Sequence, residues 1–292
     1  MFSGFEKHAA EVNGTHINYV RSGNGPALLL LHGHPQTHVI WHKVAEELAQ
    51  HFTVIAADLR GYGDSGKPVG LADHSNYAKR TMGQDQIDLM ETLGFKQFLL
   101  MGHDRGGRTA YRMALDHPDA ILKLVLLDIA PTLAMYEKTT MAFASAYYHW
   151  FFLIRPAPFP ETLLSANPEA YLEHTIGGRS AGLGPFTTEA YAEYLRCLSD
   201  PATVHGICED YRASASIDLE HERKDLADGR KIQCDTLVLW GKHGVIEKCF
   251  DPLREWQHLA KSVTAKALDC GHYIPEEAPE ALMAEVMPFF TT

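Results

Sequence analysis

The chain has 292 residues, with 26 Lys and Arg against 37 Asp and Glu, and its formal charge of −11 opposes general binding to nucleic acid or anionic membranes. At 46% hydrophobic and 22% charged residues it can bury a sizeable core, which argues against disorder and suits one α/β core with an insertion or two ordinary domains. Five cysteines without C-x-x-C spacing read as reduced thiols, and with no signal-like start or membrane-length apolar run a cytoplasmic protein is expected.

The first apolar run, Ala27 to Leu31, stops at His32-Gly33-His34-Pro35, and the second, Thr53 to Ala57, stops at Asp58-Leu59-Arg60-Gly61. Both read as buried strands ending in loops. His34, His38 and His42 recur every fourth residue, but the flanking sequence is turn-like and H-E-x-x-H is absent, so no metal site is expected. Gly61 to Lys67 fits G-x-x-x-x-G-K, yet Pro68 stands where a nucleotide loop needs Ser or Thr. Trp41 to Ala49 and Tyr77 to Leu93 carry helical patterns, and further apolar runs cover Phe98 to Met101 and Leu124 to Leu127. Strands alternating with helices predict a parallel sheet, with ligands at the strands' carboxyl ends.

After Asp128 the sequence turns to aromatic-rich helical segments punctuated by proline, with no clear strand until Thr236 to Trp240. The organisation therefore reads as core over 1–133, helical cap over 134–231 and core again over 232–292. The stripe Phe143, Tyr147, Trp150 and Phe151 has helical spacing and reads mostly as packing. The core resumes through His258 to Leu268, passes Gly271-His272, and closes with a helix starting near Pro279.

Gly102-His103-Asp104-Arg105-Gly106-Gly107 lies between a predicted strand and a predicted helix. This is the G-x-Nuc-x-G pattern of a nucleophile elbow, with Asp104 central; alone, it reads equally as a glycine-rich turn whose aspartate caps the helix. His272 follows a predicted strand and a glycine late in the chain, where a base follows its nucleophile. The loop after Thr236 to Trp240 has no carboxylate before Glu247, so Asp128 is the expected orienting acid. Asp104, Asp128 and His272 are thus taken as a triad. Arg105 and Arg108, three apart beside Asp104, read as a clamp for a substrate carboxylate, against the plainer reading of a structural bridge.

These motifs, with His32 to Gln36, Asp58 to Gly63, His149-Trp150 and Asp210-Tyr211-Arg212, resemble the haloacid-cleaving members of the α/β-hydrolase family over almost the whole chain. The resemblance implies an α/β-hydrolase fold, mostly parallel with helices on both faces and a helical cap. It implies cofactor-free hydrolysis of a 2-haloacetate through an ester on Asp104, halide donors at His149, Trp150 and Tyr211, and oxyanion donors at the His34 and Arg105 amides. His34 departs from the apolar residue expected there. A small anionic substrate is implied, and a homodimer. Two other readings compete: an epoxide hydrolase using the same aspartate with Tyr211 as acid, which leaves the arginine pair without a purpose, and a silent small-acid receptor, which leaves the triad without one.

Overall fold

Eight strands form one sheet in the computed structural model, which describes residues Met1–Thr292. They are β1 (Glu6–Val12), β2 (Thr15–Ser22), β3 (Ala27–Leu31), β4 (Thr53–Ala57), β5 (Phe98–His103), β6 (Ile121–Leu127), β7 (Asp235–Gly241) and β8 (Val263–Leu268), in the order β1-β2-β4-β3-β5-β6-β7-β8. From β4 to β8 every pairing is parallel; β2 joins β4 antiparallel and β1 pairs antiparallel with β2.

Uninterrupted apolar runs make the central strands because both faces are covered. Leu29, Leu31, Leu100 and Leu126 enter one buried cluster, while their neighbours Leu28, Leu30, Leu99 and Val125 enter another on the opposite side. The second cluster is closed by Trp41, Leu282 and Val286; the first continues into the helices between β6 and β7 through Phe143, Trp150, Ile207 and Tyr211. Those helices run from Thr132–Glu137 to Ile217–Ala227. No helix is long and apolar enough to cross a membrane.

The structure departs from the sequence expectations at several elements. Trp41 to Ala49 is a 3-10 turn, His38–Lys43, followed by the four-residue helix Ala45–Leu48. His258 to Leu268 divides into the end of helix Pro252–Leu259 and strand β8. The antiparallel pair β1 and β2 carried no alternating signal, since six of the seven β1 residues reach the surface. The Lys67 ammonium donates to the carbonyls of Gly63 and Ser65 within its own loop.

Candidate active site

Strand β5 ends in a turn that forces Asp104 to φ 47°, ψ −114° before helix Arg105–Asp116 begins. A non-glycine residue in this region is strained and persists only where its surroundings fix it. Glycine on both sides permits the packing: a Cβ on Gly102 would lie 2.6 Å from the Gly106 carbonyl oxygen, and one on Gly106 would lie 2.3 Å from the carbonyl oxygens of Leu31 and His32. Asp104 makes no side-chain cap to its helix, so the turn serves to present the carboxylate rather than to start the helix. Its Oδ1 accepts the His34 amide at 2.9 Å, and its buried Oδ2 has no hydrogen-bond partner in the protein.

Asp128, at the end of β6, is a second strained residue, with φ 51°. Its Oδ1 accepts the Gly241 amide at 2.8 Å and its Oδ2 lies 2.5 Å from His272 Nδ1. His272 Nε2 then faces Asp104 Oδ2 at 3.6 Å. The ring of His103 holds the base loop by a 2.8 Å bond to the His272 carbonyl. The structure thus brings Asp104, Asp128 and His272 together, while the exposed Glu247 bonds the Trp240 indole.

Burial opposes the charge on Asp104, but His272, Arg179 and Arg105 around it outweigh burial and hold its carboxyl well below the usual range. Burial, reinforced by Arg179, pushes His272 down to about 3, so its imidazole is neutral at neutral pH. Burial pushes Asp128 up to about 7 against the Gly241 amide. With Asp128 as the carboxylate, the proton of the 2.5 Å contact lies on His272 Nδ1 and Nε2 is left as an acceptor. A stripped anion beside a neutral base is an arrangement for nucleophilic attack followed by activation of water.

Arg105 and Arg108 are buried beside the elbow, but much of each guanidinium is engaged. Arg105 grips Asp210 through Nε at 2.8 Å and Nη2 at 2.7 Å, leaving Nη1 unpartnered. Arg108 donates Nη1 to the Ala130 carbonyl and to Thr132 Oγ1, leaving Nε unpartnered. Each arginine is thus part of a structural bridge and keeps one unpaired donor nitrogen.

Aromatic side chains close the chamber from the helices between β6 and β7. His149, Trp150 and Tyr211 are all fully or almost fully buried, and His149 Nε2, Trp150 Nε1 and the Tyr211 hydroxyl all lack partners. Their rings cluster, with His149 and Trp150 centroids 5.7 and 6.3 Å from Tyr211. The guanidinium of Arg105 stacks over Tyr211 at 4.2 Å and that of Arg108 over Trp150 at 4.6 Å. Burial holds the Tyr211 phenol well above its usual range and His149 well below, so both rings are neutral. His34 joins the group, its ring 5.8 Å from His149 and its Nδ1 unpartnered, while Nε2 meets the Tyr171 hydroxyl at 2.9 Å.

Three residues here escaped sequence reasoning. Tyr147, read as packing, brings its hydroxyl within 3.3 Å of His272 Nδ1. Asp210 ties Arg105, Lys79 and the Tyr62 hydroxyl together. Arg179 donates to His272 Nε2 at 3.3 Å and to the His34 carbonyl at 3.1 Å. It sits in the segment Gly177 to Gly184, where a lone arginine among glycines carries no motif.

The sequence model of the alpha/beta hydrolase fold matches residues 26–279. A fluoroacetate dehalogenase of Burkholderia sp is 47% identical over 96% of this chain and 92% of its own length. A soluble epoxide hydrolase of Corynebacterium sp. (strain C12) is 33% identical over 97% of this chain and 96% of its own. Among solved structures, an alpha/beta hydrolase from Nostoc sp PCC 7120 superposes with TM-score 0.98 at 52% identity, covering 100% of this chain and 99% of that one. The chain belongs to the alpha/beta hydrolase fold family.

Proposed function

We propose that this alpha/beta hydrolase cleaves a 2-haloacetate, fluoroacetate or chloroacetate, to glycolate and halide through an aspartyl ester. The observation that carries the reading is the set of unpartnered, buried polar atoms on His149, Trp150 and Tyr211, together with the unpartnered Oδ2 of Asp104. An unsatisfied buried donor costs about 1–3 kcal/mol, and a departing halide supplies the missing acceptor. The similarity to the Burkholderia enzyme supports the same substrate class.

In this reading the free nitrogens of Arg105 and Arg108 hold the substrate carboxylate and align its α-carbon. Asp104 Oδ2 attacks that carbon as the carbon–halogen electron pair leaves with the halide, which the three neutral donors receive. His272 Nε2 then takes a proton from water; the hydroxide adds to the Asp104 ester carbonyl, and charge builds on Oδ1. The His34 amide already lies 2.9 Å from that oxygen, and the Arg105 amide, in the first helical turn with no earlier carbonyl to bond, is the second donor. Collapse breaks the ester bond to the alkoxide, which takes the proton back from His272 and leaves as glycolate, and the Asp104 carboxyl loses its proton to solvent.

The test is turnover of fluoroacetate, chloroacetate and a small epoxide side by side, read by halide-selective electrode and by diol formation. Halide release from the haloacids with little diol is expected. Efficient diol formation without halide release would contradict the reading and assign Tyr211 to the epoxide oxygen instead.

A further inference from the structure

A cavity of about 700 Å³ lies beside the chamber, lined by Lys248, Gly271 and His272 on the core side and by Ala142, Tyr147 and Arg179 on the other. A second cavity, of about 210 Å³, is lined by His149, Thr175 and Arg179. Arg179 borders both. Its guanidinium donates to Thr175 O, His272 Nε2, His34 O and the Tyr273 hydroxyl. All four partners are uncharged, so this half-buried cation has no carboxylate hydrogen-bonded to it.

We infer that Arg179 is a specificity-determining gate: its guanidinium closes the passage from the larger cavity to Asp104 and is drawn aside by the carboxylate of an entering haloacid, so that anionic substrates are admitted ahead of neutral ones. The inference rests on the haloacid reading and extends it to entry. The present acceptors are neutral, whereas a substrate carboxylate brings the opposite charge and two oxygens that the guanidinium can bond in parallel, so it offers Arg179 more than the carbonyls, phenol and imidazole it leaves. An epoxide or an amide offers no counter-ion, only a neutral acceptor in exchange for those bonds. The cavity lining carries both signs: Lys248 is a cation, while of its two carboxylates Asp269 pairs with His243 and Glu277 accepts the Gly271 and Tyr273 amides, so Arg179 is the cation that meets an anion at the inner end.

The moving part is the side chain. The backbone is pinned, because the His272 amide donates to the Arg179 carbonyl at 2.9 Å. Closure also occupies His272 Nε2, the atom that must meet water, so the base is engaged until an anion arrives. Arg105 cannot substitute in this role, since Asp210 holds it bidentately.

The test compares kcat/KM for chloroacetate and chloroacetamide, both of which release chloride, in the wild type, Arg179→Met and Arg179→Lys. Arg179→Met should lower the chloroacetate to chloroacetamide ratio by about tenfold or more. The loss should lie in chloroacetate KM with kcat held, while chloroacetamide gains. Arg179→Lys, which keeps the charge, should keep most of the ratio. If Arg179→Met does not fold, Arg179→Gln removes the charge while keeping an amide donor for the His34 carbonyl. An unchanged ratio in the neutral variants, equal losses on both substrates, or a Lys variant that behaves like Met would overturn the gate. A wild type that releases chloride from neither compound would overturn the haloacid reading and the gate with it; a dehalogenating wild type whose ratio survives loss of the charge overturns the gate alone.

Discussion

Trp150 shows how one nitrogen can carry a substrate preference. Its indole is fully buried between Tyr136, Phe143 and the Arg108 guanidinium, yet Nε1 has no partner. Fluoride is a poorer leaving group than chloride and accepts stronger hydrogen bonds, so a donor at the leaving atom matters most to defluorination. Trp150→Phe keeps the aromatic packing and removes the N–H. A charge-assisted hydrogen bond is worth about 1.5–3 kcal/mol, or about one to two decades in rate. The expected outcome is a fall of that size in kcat/KM for fluoroacetate with chloroacetate largely spared; equal slowing of both would make Trp150 a packing residue. At this scale the sequence exposed the residues set in motifs. Asp104 stands out by its flanking glycines, and Asp128 by its place at a strand end when the loop Gly241 to Val245 offers no acid. Arg179 stays hidden because its role comes from the fold, which lays a glycine-rich segment across His272.

Between elements, the main tie is Asp210, on helix Pro201–Ser214, which reaches Arg105 on the elbow helix and Lys79 on helix Lys79–Thr92. Burial opposes its charge, but Arg105 and Lys79 outweigh that and hold its carboxyl well below the usual range. Asp210→Asn leaves two buried cations without a carboxylate, and breaking such a pair costs about 3–5 kcal/mol. Because the folded pKa lies below the unfolded value, the stabilisation is present above about pH 4 and fades as pH falls further. Urea unfolding should therefore show a large deficit for Asp210→Asn at neutral pH that narrows below about pH 4; a deficit independent of pH would assign it to packing. Asp210 was legible only as a neighbour of Tyr211, since nothing in a sequence says which distant cation a buried acid meets. The central strands were legible because burial on both faces demands continuous apolar runs. β1 was not, because an edge strand with residues such as Glu6, Lys7, His8 and Glu11 at the surface needs no such run.

Across the whole molecule, the sheet supplies the nucleophile, acid and base from the ends of β5, β6 and β8, while the helices between β6 and β7 supply the donors facing them. This division predicts a reaction in two halves, with His272 needed only for the second. The most direct measurement is intact-protein and peptide mass spectrometry of His272→Ala after incubation with chloroacetate. The expected product carries a single added carboxymethyl group, located on the peptide containing Asp104 and stable in neutral buffer. A variant that binds chloroacetate yet stays unmodified, or one modified elsewhere with Asp104 untouched, would contradict the aspartyl-ester mechanism.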